Sequence, residues 1–431
     1  MSSKGRSSAV MGGGAVSVPE RRFPDFHEAG AWKSVSLGSV ASISTKKVGN
    51  KTCIPMSITS GVGLVSQMEK FGRIIAGESY KNYLLLQKND FAYNKSATKE
   101  FPEGFISLYS GEELAAVPNS IFTCFRVKED AVSPSYLNYL FLGNLHGRWL
   151  RRFIEVGARA HGSLSINDRD LLALPVPVPA GPNSLREQQK IADCLDSADA
   201  LITAQGRKVE ALKAHKKGLM QQLFPQEGET QPRLRFPEFR DADDWKEVTL
   251  AKFIEEFREQ STVQDEYEVM TSARSGLVRQ REYYDNDRIT ERDNVGFNVI
   301  PPNYMTYRSR SDNRKFYFNE NKLGVTGIVS IYYPVFRILN GSNKFFIELF
   351  SMFSRIIGMY SVGTSQTVLS FNQLKKIKLP VPGEAEQQRI ADCLASLDDL
   401  IAAEARKLDA LKTHKKGLMQ QLFPSVAVGD A

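Results

Sequence analysis

One stretch of this chain is written twice. EQQKIADCLDSADALITAQGRKVEALKAHKKGLMQQLFP, from Glu187 to Pro225, recurs from Glu386 to Pro424 as EQQRIADCLASLDDLIAAEARKLDALKTHKKGLMQQLFP. The copies are identical at 29 of 39 positions, with a constant offset of 199 residues. Chance does not supply that agreement, so any fold for this chain must contain the unit twice.

Weaker echoes precede each copy. RFPDFHEAGAWK, from Arg22 to Lys33, returns as RFPEFRDADDWK, from Arg235 to Lys246, at an offset of 213. That offset also aligns Gly63, Leu64, Val65 and Gln67 with Gly276, Leu277, Val278 and Gln280, and Lys95 and Ser96 with Arg308 and Ser309. Later, Leu164, Ser165 and Asn167 match Leu369, Ser370 and Asn372, and LPVP at Leu174 matches LPVP at Leu379, now at an offset of 205. The shrinking offset places insertions and deletions between fixed landmarks, whereas the two long segments align without a gap. Each half is therefore a variable globular part followed by a strongly constrained segment.

The repeated segments carry apolar residues at alternating spacings of three and four, which is a heptad seam. The seam residues are Ile191, Leu195, Ile202, Val209 and Leu212 in the first copy and Ile390, Leu394, Leu397, Ile401, Leu408 and Leu411 in the second. Each stripe needs a cover, and the other copy is the natural one. About 37 residues at 1.5 Å rise make a rod of ~55 Å. Polar interruptions fall at Gln205 and Lys216 in one copy and at Glu404 and Lys415 in the other. Parallel packing would set Lys216 against Lys415 in an apolar seam, which like charge and desolvation both oppose. Antiparallel packing is therefore expected. It places the stems of Lys216 and Lys415 along Leu397 and Ala198, and it brings Gln205 to Glu404 as a polar layer that fixes register.

The globular parts hold short runs rich in β-branched and aromatic residues, such as IFTCFRV at Ile121 and IYYPVFRI at Ile331. Helical stretches are expected near Tyr136 to Phe153 and Phe345 to Tyr360. The proline-rich LPVPVPAGPNS and LPVPGEA are read as chain breaks leading into the long helices, because proline continues neither a helix nor an inner strand. The fold class is α+β, with two globular domains joined by two long antiparallel coiled-coil helices in a pseudo-twofold repeat. The expected boundaries are a disordered lead-in at 1–20, a first domain at 21–182, a first helix at 184–225, a second domain at 226–383, a second helix at 384–424 and a tail at 425–431.

Composition narrows the function classes. No apolar run approaches the roughly 20 residues needed to span a bilayer. The four cysteines, Cys53, Cys124, Cys194 and Cys393, form no CxxC pair, so the expected setting is a reducing cytoplasm with neither a zinc site nor disulfides. A net charge of +7 favours a polyanionic partner.

With this arrangement in hand, the chain resembles the specificity subunit of type I restriction-modification systems. The residues that carry the resemblance are the LPVP element, the EQQ[KR]IADCL helix start, the HKKGLMQQLFP helix end and the doubling of the whole unit. The resemblance covers almost everything from Arg22 to Pro424. It implies that each globular part is a target-recognition domain reading one half of a split site in double-stranded DNA. It further implies that the helices act as a spacer docking two methyltransferase subunits, to which two endonuclease/translocase subunits bind, and that the chain itself is non-catalytic and needs no cofactor.

Candidate contacts follow from residue chemistry. YNKS (Tyr93, Asn94, Lys95, Ser96) and YRSRSDNRK (Tyr307, Arg308, Ser309, Arg310 onward) combine aromatic, amide, hydroxyl and basic groups in corresponding loops. Such groups contact phosphates and base edges. Gln67 and Gln280 are further candidates, with turn capping as their alternative role. Arg159 and His161 in GARAHGS, and Gln366 in GTSQT, lie in polar loops before the matched Leu-Ser landmarks. The paired HKKG motifs, with His215, Lys217 and Gly218 in one helix and His414, Lys416 and Gly417 in the other, are partner-docking candidates. A glycine inside a helix costs about 1 kcal/mol relative to alanine, so its repetition favours close approach by a partner. Two rival classes remain. A stand-alone DNA methyltransferase would need a glycine loop after a strand and an acidic or amide residue before Pro-Pro-aromatic; IPPNY at Ile300 has the wrong flanks and reads as a turn. A purely architectural coiled-coil protein would account for the helices but not for two variable, basic, loop-rich domains.

Overall fold

The two repeated segments form the two longest helices, Ser184–Leu223 and Glu384–Leu422. The structure, a computed structural model, describes residues 18–59, 62–154, 164–273, 276–283 and 293–424. The chain folds as two units: one comprises the chain up to Ala204 together with the chain from Leu408 onward, and the other comprises Gln205–Lys407. Each long helix thus contributes its first half to one unit and its second half to the other.

In the first unit a four-stranded sheet runs in the order Ala41–Ser44, Phe122–Val127, Asp90–Asn94, Phe105–Leu108. A second sheet runs Gly63–Ser66, Ile54–Thr59, Ala115–Val117, Leu84–Leu86, with its two middle strands parallel. The second unit repeats this connectivity strand for strand. One of its sheets runs Ile254–Phe257, Val335–Ile338, Met305–Tyr307, Phe318–Glu320. The other runs Gly276–Arg279, Glu268–Ala273, Gly327–Val329, Asn298–Ile300, again with the middle pair parallel. The duplication therefore extends through the globular parts, where little identity survives. Buried apolar positions and turn residues suffice to preserve a strand order while the exposed positions change.

The expected helical stretches form, each broken in two. Pro134–Leu142 is followed by Leu145–Leu150 across Asn144, whose φ is 60°, and Asn343–Met352 is followed by Ser354–Met359 across Phe353. Both helix pairs cover the larger core. Around Phe91, Tyr93, Phe125 and Tyr136 in the first unit pack Ile191, Ala192 and Leu195 of one long helix and Leu418, Leu422 and Phe423 of the other. In the second unit Phe336, Phe345, Phe346 and Phe350 take Leu219, Leu223 and Phe224 together with Ile390, Ala391 and Leu394. Each fully buried side chain of this size contributes about 1.5–3 kcal/mol of transfer free energy. The long helices are thus parts of the domain cores rather than tethers.

Within each unit the two helices run in opposite directions. Rising numbers on one meet falling numbers on the other. In the second unit Gln205 donates to Glu404 Oε2 at 2.7 Å and Lys216 donates to Asp398 at 2.7 and 2.8 Å. In the first unit Lys415 donates to both Asp199 oxygens at 2.6 Å. These last two contacts are repeat equivalents, since Lys216 corresponds to Lys415 and Asp199 to Asp398. Here the structure departs from the expectation of stems lying along Leu397 and Ala198. Each ammonium instead reaches the carboxylate one residue further on, because a half-buried charge is stabilised far more by an acceptor than by an apolar neighbour. Burial pulls the Lys216 ammonium down, yet its hydrogen bonds to Asp398 and Glu348 outweigh this and its pKa ends above the usual value.

The proline-rich elements are not simple breaks. Pro175–Pro179 is a strand pairing antiparallel with Trp32–Ser36, and Lys378–Val381 pairs likewise with Lys246–Thr249. Both sheets are two-stranded, so proline costs no ladder bond as long as its missing N–H faces away from the partner. Pro175, Pro177 and Pro179 occupy alternate positions, and the Pro177 carbonyl on that outer side accepts from Tyr136 Oη at 2.7 Å.

Candidate nucleic-acid interface

Strand register decides which loop residues are equivalent. Phe91 pairs with Phe125 as Met305 pairs with Phe336, and Ala92 with Cys124 as Thr306 with Val335. Tyr93 therefore corresponds to Tyr307, and the equivalent triplets are Asn94, Lys95, Ser96 and Arg308, Ser309, Arg310. This corrects the sequence alignment by one residue, because a single-residue insertion lies between Gln280 and Met305. Matching main-chain bonds carry the same message: Leu164 N donates to Lys95 O at 2.7 Å, and Leu369 N to Ser309 O at 2.9 Å.

The two tyrosines are corrected from contact to core. Tyr93 is fully buried and its hydroxyl donates to Glu103 O at 2.8 Å, while buried Tyr307 donates to Leu369 O at 3.0 Å. Burial holds both phenols well above their usual pKa. They pin the strand ends from which the loops leave. Gln67 is likewise buried, its Oε1 accepting from the main-chain N–H of Ile75 at 2.9 Å and of Ala76 at 3.0 Å. It holds a turn, which was its alternative role, and no longer stands as a contact. Gln280 opens a one-turn helix, Gln280–Tyr283, and is half-buried.

Asn94 is mostly buried, and its Oδ1 accepts from Ser96 N at 3.0 Å, which shapes the turn carrying half-buried Lys95 and Ser96. Asn94 also lines a surface cleft of about 490 Å³ with Ser57, Thr59, Lys70 and Thr98. In the second domain Arg308 is exposed, Ser309 buried and Arg310 half-buried. Both arginines line a cleft of about 280 Å³ with Asn313, Lys315 and Tyr317. The strand Arg310–Ser311 pairs with Thr367–Val368, so exposed Gln366 flanks the same loop. The structure thus brings Arg308 and Arg310 to one cleft, with Gln366 next to the strand that pairs with Arg310–Ser311. Arg159 and His161 lie outside the described residues. Among the described residues no group of three or more His, Cys, Asp or Glu side chains could hold a metal ion, and no helix is long and apolar enough to cross a membrane.

Residues 243–413, the second domain with most of the second long helix, match the family described as the type I restriction modification DNA specificity domain. A protein of Methanocaldococcus jannaschii named for the MjaX type I restriction enzyme specificity subunit is 25% identical over 336 residues, 74% of each chain. Over these stretches the chain is similar to type I restriction-modification specificity subunits. The MjaVIII type I restriction enzyme specificity subunit of the same organism is 23% identical over 63% of this chain and 66% of its own. Two solved structures share the fold. The type I restriction-modification system S subunit from M. genitalium superposes with a TM-score of 0.54 at 14% identity, covering 95% of this chain and all of that one. A chain from a structure concerned with complex assembly and conformational transition of the type I system gives 0.55 at 13%, covering 91% and 98%.

The seam residues are distributed by depth. Ile191, Leu195, Val209, Ile390 and Leu394 are buried, whereas Ile202, Leu212, Leu397, Ile401, Leu408 and Leu411 are half-buried. His215, Lys217, His414 and Lys416 are exposed, and nothing described in this chain comes within 4 Å of the position a Cβ would take on Gly218 or Gly417. Sequence reasoning missed two buried ion pairs at the starts of the long helices. Arg22 donates to Glu187 twice at 2.7 Å, and Arg235 to Glu386 at 2.8 and 2.7 Å. Each arginine also ties down the following turn, Arg22 through Ala29 O and Arg235 through Ala242 O, both at 2.9 Å. The signal was available: both arginines and both glutamates belong to the repeated motifs.

Proposed function

We propose that this chain is the non-catalytic subunit that gives a type I restriction-modification complex its DNA sequence. Residues 21–182 and 226–383 each read one half of a split site, and helices 184–225 and 384–424 dock two methyltransferase subunits and, through them, endonuclease/translocase subunits. One observation carries this reading: two domains whose four-stranded sheets share one strand order offer different side chains at the same loop, Asn-Lys-Ser against Arg-Ser-Arg. A scaffold serving one fixed ligand has no use for that pairing, whereas a reader of two unlike half-sites requires it. The exposed His215 and Lys217, matched by His414 and Lys416 in the other helix, support two equivalent docking positions. The purely architectural reading leaves both clefts without a purpose. Single-molecule mapping of methylated adenines in cells with and without this gene tests the proposal. A split, asymmetric motif should vanish with the gene; persistence of every motif would refute it.

A further inference from the structure

The two clefts differ in one respect that has a specific meaning for DNA. The first is lined by hydroxyl, amide and ammonium groups, while the second presents two guanidinium groups. Several arginines of the second domain are committed to carboxylates, as in Arg279 with Glu268, Arg337 with Glu255 and Arg355 with Glu227. Among the described residues Arg308 and Arg310 make no such pair, although Asp312 lines the same cleft. Arg310 is oriented instead by an aromatic face: its guanidinium carbon lies 3.8 Å from the centre of the Tyr332 ring. Tyr332 is itself held against this loop, since Ser309 N donates to Tyr332 O at 2.9 Å. From the other side the Thr367 hydroxyl donates to Ser311 O at 2.9 Å. The Tyr332 ring therefore lies against the Arg310 guanidinium before any ligand arrives.

A phosphate accepts donors from many directions and needs no such backing. A guanine edge does, because its N7 and O6 must be met together in one plane. We propose that Arg310, stacked on Tyr332 and flanked by Arg308, selects a guanine in the half-site read by the second domain. This rests on the half-site reading above. Arg310 is a specificity-determining contact, and Tyr332 is its positioning residue.

The test compares the full-length chain with Arg310→Lys and Arg310→Gln, each expressed with its methyltransferase, by single-molecule methylation mapping. The half-site assigned to residues 226–383 should contain a guanine in the unsubstituted complex. Both variants should then accept other bases there, with discrimination falling by roughly 5- to 150-fold, the range of one bidentate pair. The other half-site should be unchanged. Tyr332→Leu, which leaves the arginine in place, should relax the same position by a smaller factor. On synthetic duplexes, 7-deazaguanine at that position should weaken binding by the unsubstituted complex and add little to the loss already caused by Arg310→Gln. Uniform loss of methylation with no change of preferred base would assign Arg310 to a phosphate and overturn the proposal, as would a half-site without guanine. In either case a split motif would leave the half-site reading standing, whereas a motif independent of this chain would remove both.

Discussion

In the first globular domain the strand Asp90–Asn94 leads into Lys95 and Ser96; in the second the equivalent strand leads into Arg308, Ser309 and Arg310. The strands, their neighbours and the buried tyrosines behind them correspond throughout, and the emerging side chains share nothing. The long helices show the opposite balance, with near-identical sequences and matching ion pairs. What differs between the halves is the set of side chains at that loop. What is kept fills the core, makes matching ion pairs, or, like His215, Lys217, His414 and Lys416, faces outward.

Breaking that correspondence at its most buried point should have the largest effect. Glu187→Ala and Glu386→Ala each leave a largely buried guanidinium without its carboxylate and should destabilise by about 3–5 kcal/mol, equally in the two halves. Urea unfolding checks this; loss from one variant only would break the equivalence of the two helix starts. Leu195→Ala and Leu394→Ala empty equivalent buried seam positions and should cost about 2–5 kcal/mol each in the same measurement.

One seam position separates the copies. Glu404 is buried and takes hydrogen bonds from Gln205, Lys208 and Lys407, which hold its carboxyl down to about 2 against an ordinary 4.5. A depressed folded-state value means the unfolded chain binds the proton first. The stabilisation is therefore complete above pH 4.5 and is lost as pH falls toward about 2. Glu404→Gln should flatten thermal stability across that window; an unaltered acid limb would remove this polar layer from the account. The smallest effect on stability, within about 0.5 kcal/mol, is expected of paired alanines at His215 and Lys217 or at His414 and Lys416. Co-purification of methyltransferase should nonetheless fall for each pair, and unchanged recovery would exclude these segments as docking surface.

Much of this was legible in the sequence because periodicity reports burial. The seam, the antiparallel direction and the meeting of Gln205 with Glu404 followed from where polar residues interrupt a heptad. What escaped depends on neighbours distant in the chain. Tyr93 and Tyr307 read as loop aromatics until strand pairing placed their rings inside, and Gln67 was equally compatible with a base edge and a buried turn. The Pro175–Pro179 strand required knowing that its outer side faces Tyr136. The one-residue slip between loops was hidden because YNKS and YRSR also align plausibly when shifted.

The central claim is that each domain reads its own half-site. Exchanging residues 21–182 for those of a relative with a different motif, and mapping methylated adenines in the resulting cells, tests it most directly. The account predicts a motif in which one half takes the donor's sequence and the other is retained. A motif changed in both halves, or in neither, would contradict it.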